Sequence, residues 1–295
     1  MLASGLASGD PSDLGRAVLA SWDAFLEVVE SAELDRPSRL PGWSGRDVCV
    51  HLGSWPDHRV VEALTESAAQ GAEAEHHDSD ATNARVVAAH AGASTAEVVD
   101  ALRAARSEVA SYFASPSVRE VGGLFAASSL GPLPVTTLLH AACYELAVHG
   151  LDLASCGGGA PSDFLLDRGL AALMDVTGAL SSKSAVDIVV TAQTPAGGWR
   201  FVSDVTGWHT EPVEPGRFEG TGVRGTAIDL LDTSAGRSNL GQLLLTRRLH
   251  VQHLPSFMRL APLLHEVPGL PGGAALRTAV GGLGSVTKLL GRFRR

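Results

Sequence analysis

The feature that most constrains this fold is a change of hydrophobic period at Cys156-Gly-Gly-Gly-Ala-Pro161. Before it, apolar residues recur every three to four positions, the spacing that buries one face of an α-helix. After it, Val186-Asp-Ile-Val-Val-Thr-Ala192 and Gly198-Trp-Arg-Phe-Val-Ser-Asp204 alternate as half-buried strands do. A glycine run closed by proline stops a helix and supplies a turn, so the switch reads as a boundary between two units. A chain of 295 residues is long for one compact domain, and two is the expectation.

Ahead of the boundary the periodicity predicts four helices. Asp10-Pro-Ser-Asp13 supplies helix-start residues, and Leu14, Val18, Trp22, Phe25, Leu26 and Val29 follow with helical spacing to about residue 33. Ser44 with Asp47, and Ser94 with Glu97, are spaced as capping boxes. The first opens a helix carrying Val48, Leu52, Trp55 and Leu64, with His51 beside that stripe. The second opens one carrying Val98, Val99, Leu102, Val109 and Phe113. The fourth runs from about Val135 to Ala154, while residues 70–93 read as polar and broken and 115–134 as a long loop. Four such helices make a bundle, with any metal site built from inward side chains.

Past the boundary, Phe164 to Leu180 reads as a helix, and further strands are expected at Trp208–Val213 and Arg217–Glu219. Helical spacing returns over 226–231 and 240–264. This is an α+β pattern. The expected organisation is a four-helix bundle over 10–155, a small α+β domain over 160–265 and a basic, Gly-rich tail over 266–295.

Composition narrows the function. A net charge of −9 argues against nucleic acid as a partner, because phosphate contacts need clustered Lys and Arg. Only Lys183 and Lys288 among the 23 basic residues are lysines, which with the Ala and Gly richness fits a GC-rich genome. Cys49, Cys143 and Cys156 are odd in number and widely spaced, which gives no disulfide framework and fits a reducing cytoplasm. The N-terminus lacks the basic and apolar regions of a signal peptide, and no apolar run approaches the ~18 residues of a membrane helix. A basic amphipathic tail can touch an anionic membrane, but its glycines favour a loosely ordered extension. Nothing in the sequence fixes the oligomeric state.

The chemistry concentrates in Leu138-Leu-His-Ala-Ala-Cys-Tyr-Glu-Leu-Ala-Val-His-Gly-Leu-Asp-Leu153. Glu145 and His149 are four apart and share a helix face, and Asp152 continues it three beyond His149. Such pairs arise on many exposed helices as contacts of a few tenths of a kcal/mol. Here the setting is apolar, where an unpaired polar group is costly, and His51 has the same setting on a second helix. Two imidazoles and one carboxylate with a fourth position open is the ligand pattern of a catalytic zinc.

Cys49 and Cys143 point to other helix faces than His51 and Glu145 and read as packing residues. His140 falls on the opposite side of its helix from His149; His76-His77 and His58 and His90 read as surface residues. No Gly-x-Gly-x-x-Gly, Walker or Gly-x-Ser-x-Gly pattern supports dinucleotide binding, phosphate cradling or serine hydrolysis.

Leu40-Pro-Gly-Trp-Ser-Gly-Arg-Asp-Val-Cys-Val-His-Leu52 and Glu145-Leu-Ala-Val-His-Gly-Leu-Asp-Leu153 resemble, in order and separation, the two motifs of the mycothiol-dependent maleylpyruvate isomerase family. The resemblance is specific over 12–155 and looser over 160–265. It implies a DinB-like metal-binding four-helix bundle followed by a small sterol-carrier-like α+β domain. It places the zinc ligands on His51, Glu145 and His149. Asp152, the nearest remaining carboxylate, reads from its position as a group that orients a ligand.

The resemblance also implies mycothiol as thiol cosubstrate, deprotonated at the metal. The thiolate adds to the cis double bond of maleylpyruvate, the new single bond rotates, and thiol loss leaves the trans product. Related bundles transfer the thiol to other electrophiles. The partner is then a small-molecule electrophile or 2-oxo acid, and Arg85, Arg200, Arg224, Arg237, Arg247 and Arg248 are the cations on offer for its charge. The competing readings are a metal-binding protein without turnover, whose C-terminal domain holds an apolar ligand or a protein partner, and a zinc hydrolase using Asp152 as base.

Overall fold

The computed structural model describes residues 4–71, 79–260 and 263. The helical region comprises α1 (Pro11–Glu30), α2 (Gly45–Leu52), α3 (Val60–Gln70), α4 (Ser79–Ala89), α5 (Thr95–Ala114), α6 (Val118–Val121) and α7 (Val135–Asp152), with a two-residue hairpin of β1 (Phe125–Ala126) and β2 (Leu133–Pro134) before α7. Asp10 caps α1 by accepting from Ser12 N, and both capping boxes form, at Ser44/Asp47 and at Ser94/Glu97.

α7 is the axis of the molecule. It packs against α1 on one side and α8 (Asp163–Lys183) on another. Of its residues only Leu138, Ala141, Ala142 and Glu145 keep appreciable exposure. A helix apolar on all sides is one that other elements surround.

Beyond α8 lie β3 (Ile188–Thr194), β4 (Gly197–Asp204), β5 (Gly207–Val213), β6 (Gly222–Arg224), α9 (Ala227–Ser234), α10 (Leu240–Leu245), β7 (His250–Gln252) and α11 (Leu254–Phe257). The strands form one five-stranded mixed sheet in the order β5-β4-β3-β6-β7, in which only β3 and β6 run parallel. α8 lies on β4 and β5, burying Leu170, Met174, Ala179 and Leu180 with Trp199, Phe201 and Trp208. The core of the helical region also takes in Leu165, Leu166 and Leu231 from beyond the glycine run, so the cores on either side share α8.

Several elements differ from the sequence expectation. The helix opened by Ser44 stops at Leu52 rather than reaching Leu64. Gly53 is extended, and a Cβ there would lie 2.9 Å from the Ala101 Cβ, so the chain turns where it passes closest to α5. Pro56 then restricts its predecessor away from helical backbone. The segment read as polar and broken contains α4, and the long loop contains α6 and the hairpin.

In the C-terminal region β6 at Gly222–Arg224 replaces the strand expected at Arg217–Glu219, which lies between left-handed Gly216 and Gly220. The long helix expected over 240–264 ends after six residues. Arg247 takes a positive φ of 58°, and the chain returns as β7 against β6. The basic tail and His76-His77 lie outside the described residues, and among the described residues no helix is long and apolar enough to cross a membrane.

The α7–α8 contact depends on Gly169, where an added Cβ would sit 2.4 Å from the Ala147 Cβ. Gly169→Val is expected to cost about 1–3 kcal/mol by overpacking. Urea denaturation checks this, and an unchanged midpoint would mean the two helices have room to part.

Candidate metal centre

His51 is in the last turn of α2, the short helix that the Ser44/Asp47 box starts and Gly53 ends. Glu145 and His149 project from successive turns of α7. The His51 and His149 rings meet edge to face with centroids 5.3 Å apart, and His149 Nε2 lies 3.4 Å from Glu145 Oε2. One ligand atom from each of the three lies within 4.8 Å of the others. Trp43 presents its ring at 76° to that of His51, with centroids 5.8 Å apart, and Asn83 of α4 hydrogen-bonds to His51.

Glu145 keeps 44% of its side-chain surface accessible, so its carboxylate is not sealed in packed core. His149 is buried. Its Nδ1 lies 3.1 Å from Asp152 Oδ2, which leaves Nε2 as the atom facing Glu145. Asp152 is fully buried and its charge is met by Arg237, with Nε to Oδ1 and Nη2 to Oδ2 both 3.0 Å. Arg39 adds a longer contact to Asp152 and an ion pair of 2.7 Å to Asp232.

The electrostatics follow from burial and neighbours. Burial, helped by His149, pushes the His51 imidazole down to about 4. Burial also opposes charge on His149, but Asp152 and Glu145 outweigh it and hold the ring up at about 9. Glu145 and Asp152 are held below the usual carboxylate range: burial works against them, and hydrogen bonds to His149 and, for Asp152, Arg237 prevail. Burial raises the Cys49 thiol to about 12 and the Cys143 thiol to about 11, and no cysteine belongs to the His51–Glu145–His149 group.

The family model described as the mycothiol maleylpyruvate isomerase N-terminal domain matches residues 16–154. Residues 16–154 belong to that family. Two solved structures align with the chain: the crystal structure of the mycothiol-dependent maleylpyruvate isomerase, and that of a histidine-to-alanine mutant of it. Each is 16% identical, covers 81% of this chain and 93% of the other, and superposes with a TM-score of 0.50. At that identity the likeness concerns fold. No curated protein matches.

The family segment contains His51, Glu145, His149 and Asp152 but not Arg237. Of the arginines considered from sequence, Arg237 is the one the structure ties to Asp152, and it is committed there: leaving a buried charge unpartnered costs on the order of 3–5 kcal/mol. Arg200 and Arg248 pair with Glu211 and Asp229 instead. His140 is buried against Asp175, and His90 stacks on Trp55 and pairs with Asp57. Asn83 and Trp43 carry no spacing signal toward His51, and Arg237 is 85 residues from Asp152.

A metal taking His149 Nε2 must displace the proton that the ring holds up to about pH 9. Uptake of a divalent metal at pH 7 is therefore expected to release a proton, and apparent affinity to rise with pH toward about 9. Calorimetry in buffers of different ionisation enthalpy measures this directly. Without metal the sign reverses: the raised His149 favours folding fully below its ordinary 6.5, and that contribution disappears as pH rises through about 9.

Proposed function

We propose that His51, Glu145 and His149 hold a zinc ion and that the site serves an enzyme using a low-molecular-weight thiol, mycothiol by family. The reaction class is cis–trans isomerisation of a maleylpyruvate-like 2-oxo acid, or transfer of the thiol sulfur to another electrophile. We read the helical region as a DinB-like bundle, residues 10–155, in which α2 and α3 together form one interrupted leg. Residues 160–265 then form a sterol-carrier-like domain.

The observation that carries this reading is the convergence of two imidazoles and one accessible carboxylate, from two helices, on one point. Two ligands at 2.0–2.1 Å in a tetrahedron lie about 3.3 Å apart, and the His149–Glu145 pair is at 3.4 Å. With three protein ligands a fourth position is left for an exogenous group. When bound, zinc would supply Lewis acidity that keeps a coordinated thiol deprotonated near neutral pH.

The chain's own residues do the rest. Asp152 accepts from His149 Nδ1–H, which fixes the tautomer and turns Nε2 toward Glu145. Trp43 packs edge to face against the His51 ring and restricts its rotation. Asp152 has both oxygens engaged and no exposed surface, so it is poorly placed to activate a water, which disfavours the hydrolase reading.

Purified protein should contain about one zinc, and zinc X-ray absorption should gain a sulfur scatterer on addition of mycothiol. Zinc retained without that scatterer defeats the thiol reading and leaves a metal-binding protein without turnover. His51→Ala should lose most of the bound metal, and full occupancy in that variant would overturn the ligand assignment.

A further inference from the structure

The end of α9 and the loop after it grip α7 on both sides of the turn that bears Glu145 and His149. On one side Ser234 Oγ donates to the Tyr144 hydroxyl at 3.1 Å, one residue before Glu145. On the other the Arg237 guanidinium forks onto both oxygens of Asp152, three residues after His149. The loop is itself braced: Arg237 N donates to Asp232 O at 2.7 Å, Arg237 Nη1 to Ala235 O at 2.9 Å, and Gly236 adopts a φ of 70° that lets the chain turn back. Arg39, from the connection between α1 and α2, pairs with Asp232 at 2.7 Å and ties that connection to the last turns of α9.

We propose that Arg237 is a positioning residue of the metal centre: it fixes the Asp152 carboxylate, and through it the ring of His149, so that metal affinity is set partly from the C-terminal region. This rests on the metal reading above. A carboxylate held by two parallel hydrogen bonds has one orientation, and the imidazole bonded to it inherits that orientation. A lysine supplies charge without the planar fork and cannot hold the same geometry. Arg237 makes no hydrogen bond of its own to His149 or Glu145, so its hold on ligand orientation passes through Asp152, while its charge also acts on Glu145 directly through space.

The test is a double-mutant cycle on the full chain with zinc alone as ligand, read by competition against a chelating dye, and with cobalt(II) for its visible ligand-field spectrum. Arg237→Gln and Asp152→Asn are each expected to weaken zinc binding about 10- to 100-fold, and to shift the cobalt bands. The double variant is expected to lose no more than Asp152→Asn alone. Arg237→Lys should fall between wild type and Arg237→Gln, and serves in its place should Arg237→Gln not fold.

Ser234→Ala breaks the neighbouring grip on Tyr144 and should lower thermal stability while leaving zinc affinity and the cobalt spectrum alone. Metal-binding wild type with unchanged affinity and spectrum in Arg237→Gln or Arg237→Lys overturns the inference. So do losses that multiply in the double variant, or an equal loss of affinity in Ser234→Ala. A wild type that takes up neither zinc nor cobalt overturns the metal reading itself, and this inference with it.

Discussion

Burial of α7 on nearly every side is the constraint from which the other features follow. A helix in that position has its backbone satisfied internally, so the burden falls on its polar side chains, most of which find a partner, the buried Thr137 hydroxyl being left without one. His140 is answered by Asp175 from α8, Tyr144 by Ser234, and Asp152 by Arg237. His149 is answered twice, by Asp152 and by Glu145. Among these polar groups Glu145 keeps the accessible surface, on a helix otherwise exposed only at Leu138, Ala141 and Ala142. The candidate metal centre is thus the residue of a packing problem: three groups left facing one another where the helices do not close.

How much of this was legible in the sequence divides along local and non-local physics. The capping boxes at Ser44 and Ser94, the cap at Asp10 and the helical pair Glu145/His149 depend on residues three or four apart, and the spacing alone gives their geometry. The hairpin strands near 188–213 were readable for the same reason, within two residues at their ends. The interruption at Gly53 depends on how closely α2 approaches α5, which no local pattern encodes. β6 and β7 are three residues each and exist only because they pair with each other and with β3, so their segments look like loop and helix when read alone.

The site divides in the same way. His51 and the α7 pair stood out because polar groups in apolar stretches are conspicuous. Arg237 was one of six arginines with no distinguishing neighbour, and its role appears only when Asp152 is seen beside it. α4 hid in a polar segment, yet it delivers Asn83 to His51. What surrounds a ligand comes from distant chain, and distance along the chain is what periodicity cannot span.

The three cysteines have a consequence of their own. All are buried, and burial keeps the thiols of Cys49 and Cys143 protonated far above neutral pH. A protonated, enclosed thiol neither attacks disulfides nor accepts alkylating agents at a useful rate. In the folded chain Cys49 and Cys143 are therefore poor partners for thiol–disulfide exchange. Reaction of these buried sulfurs with a maleimide would report unfolding.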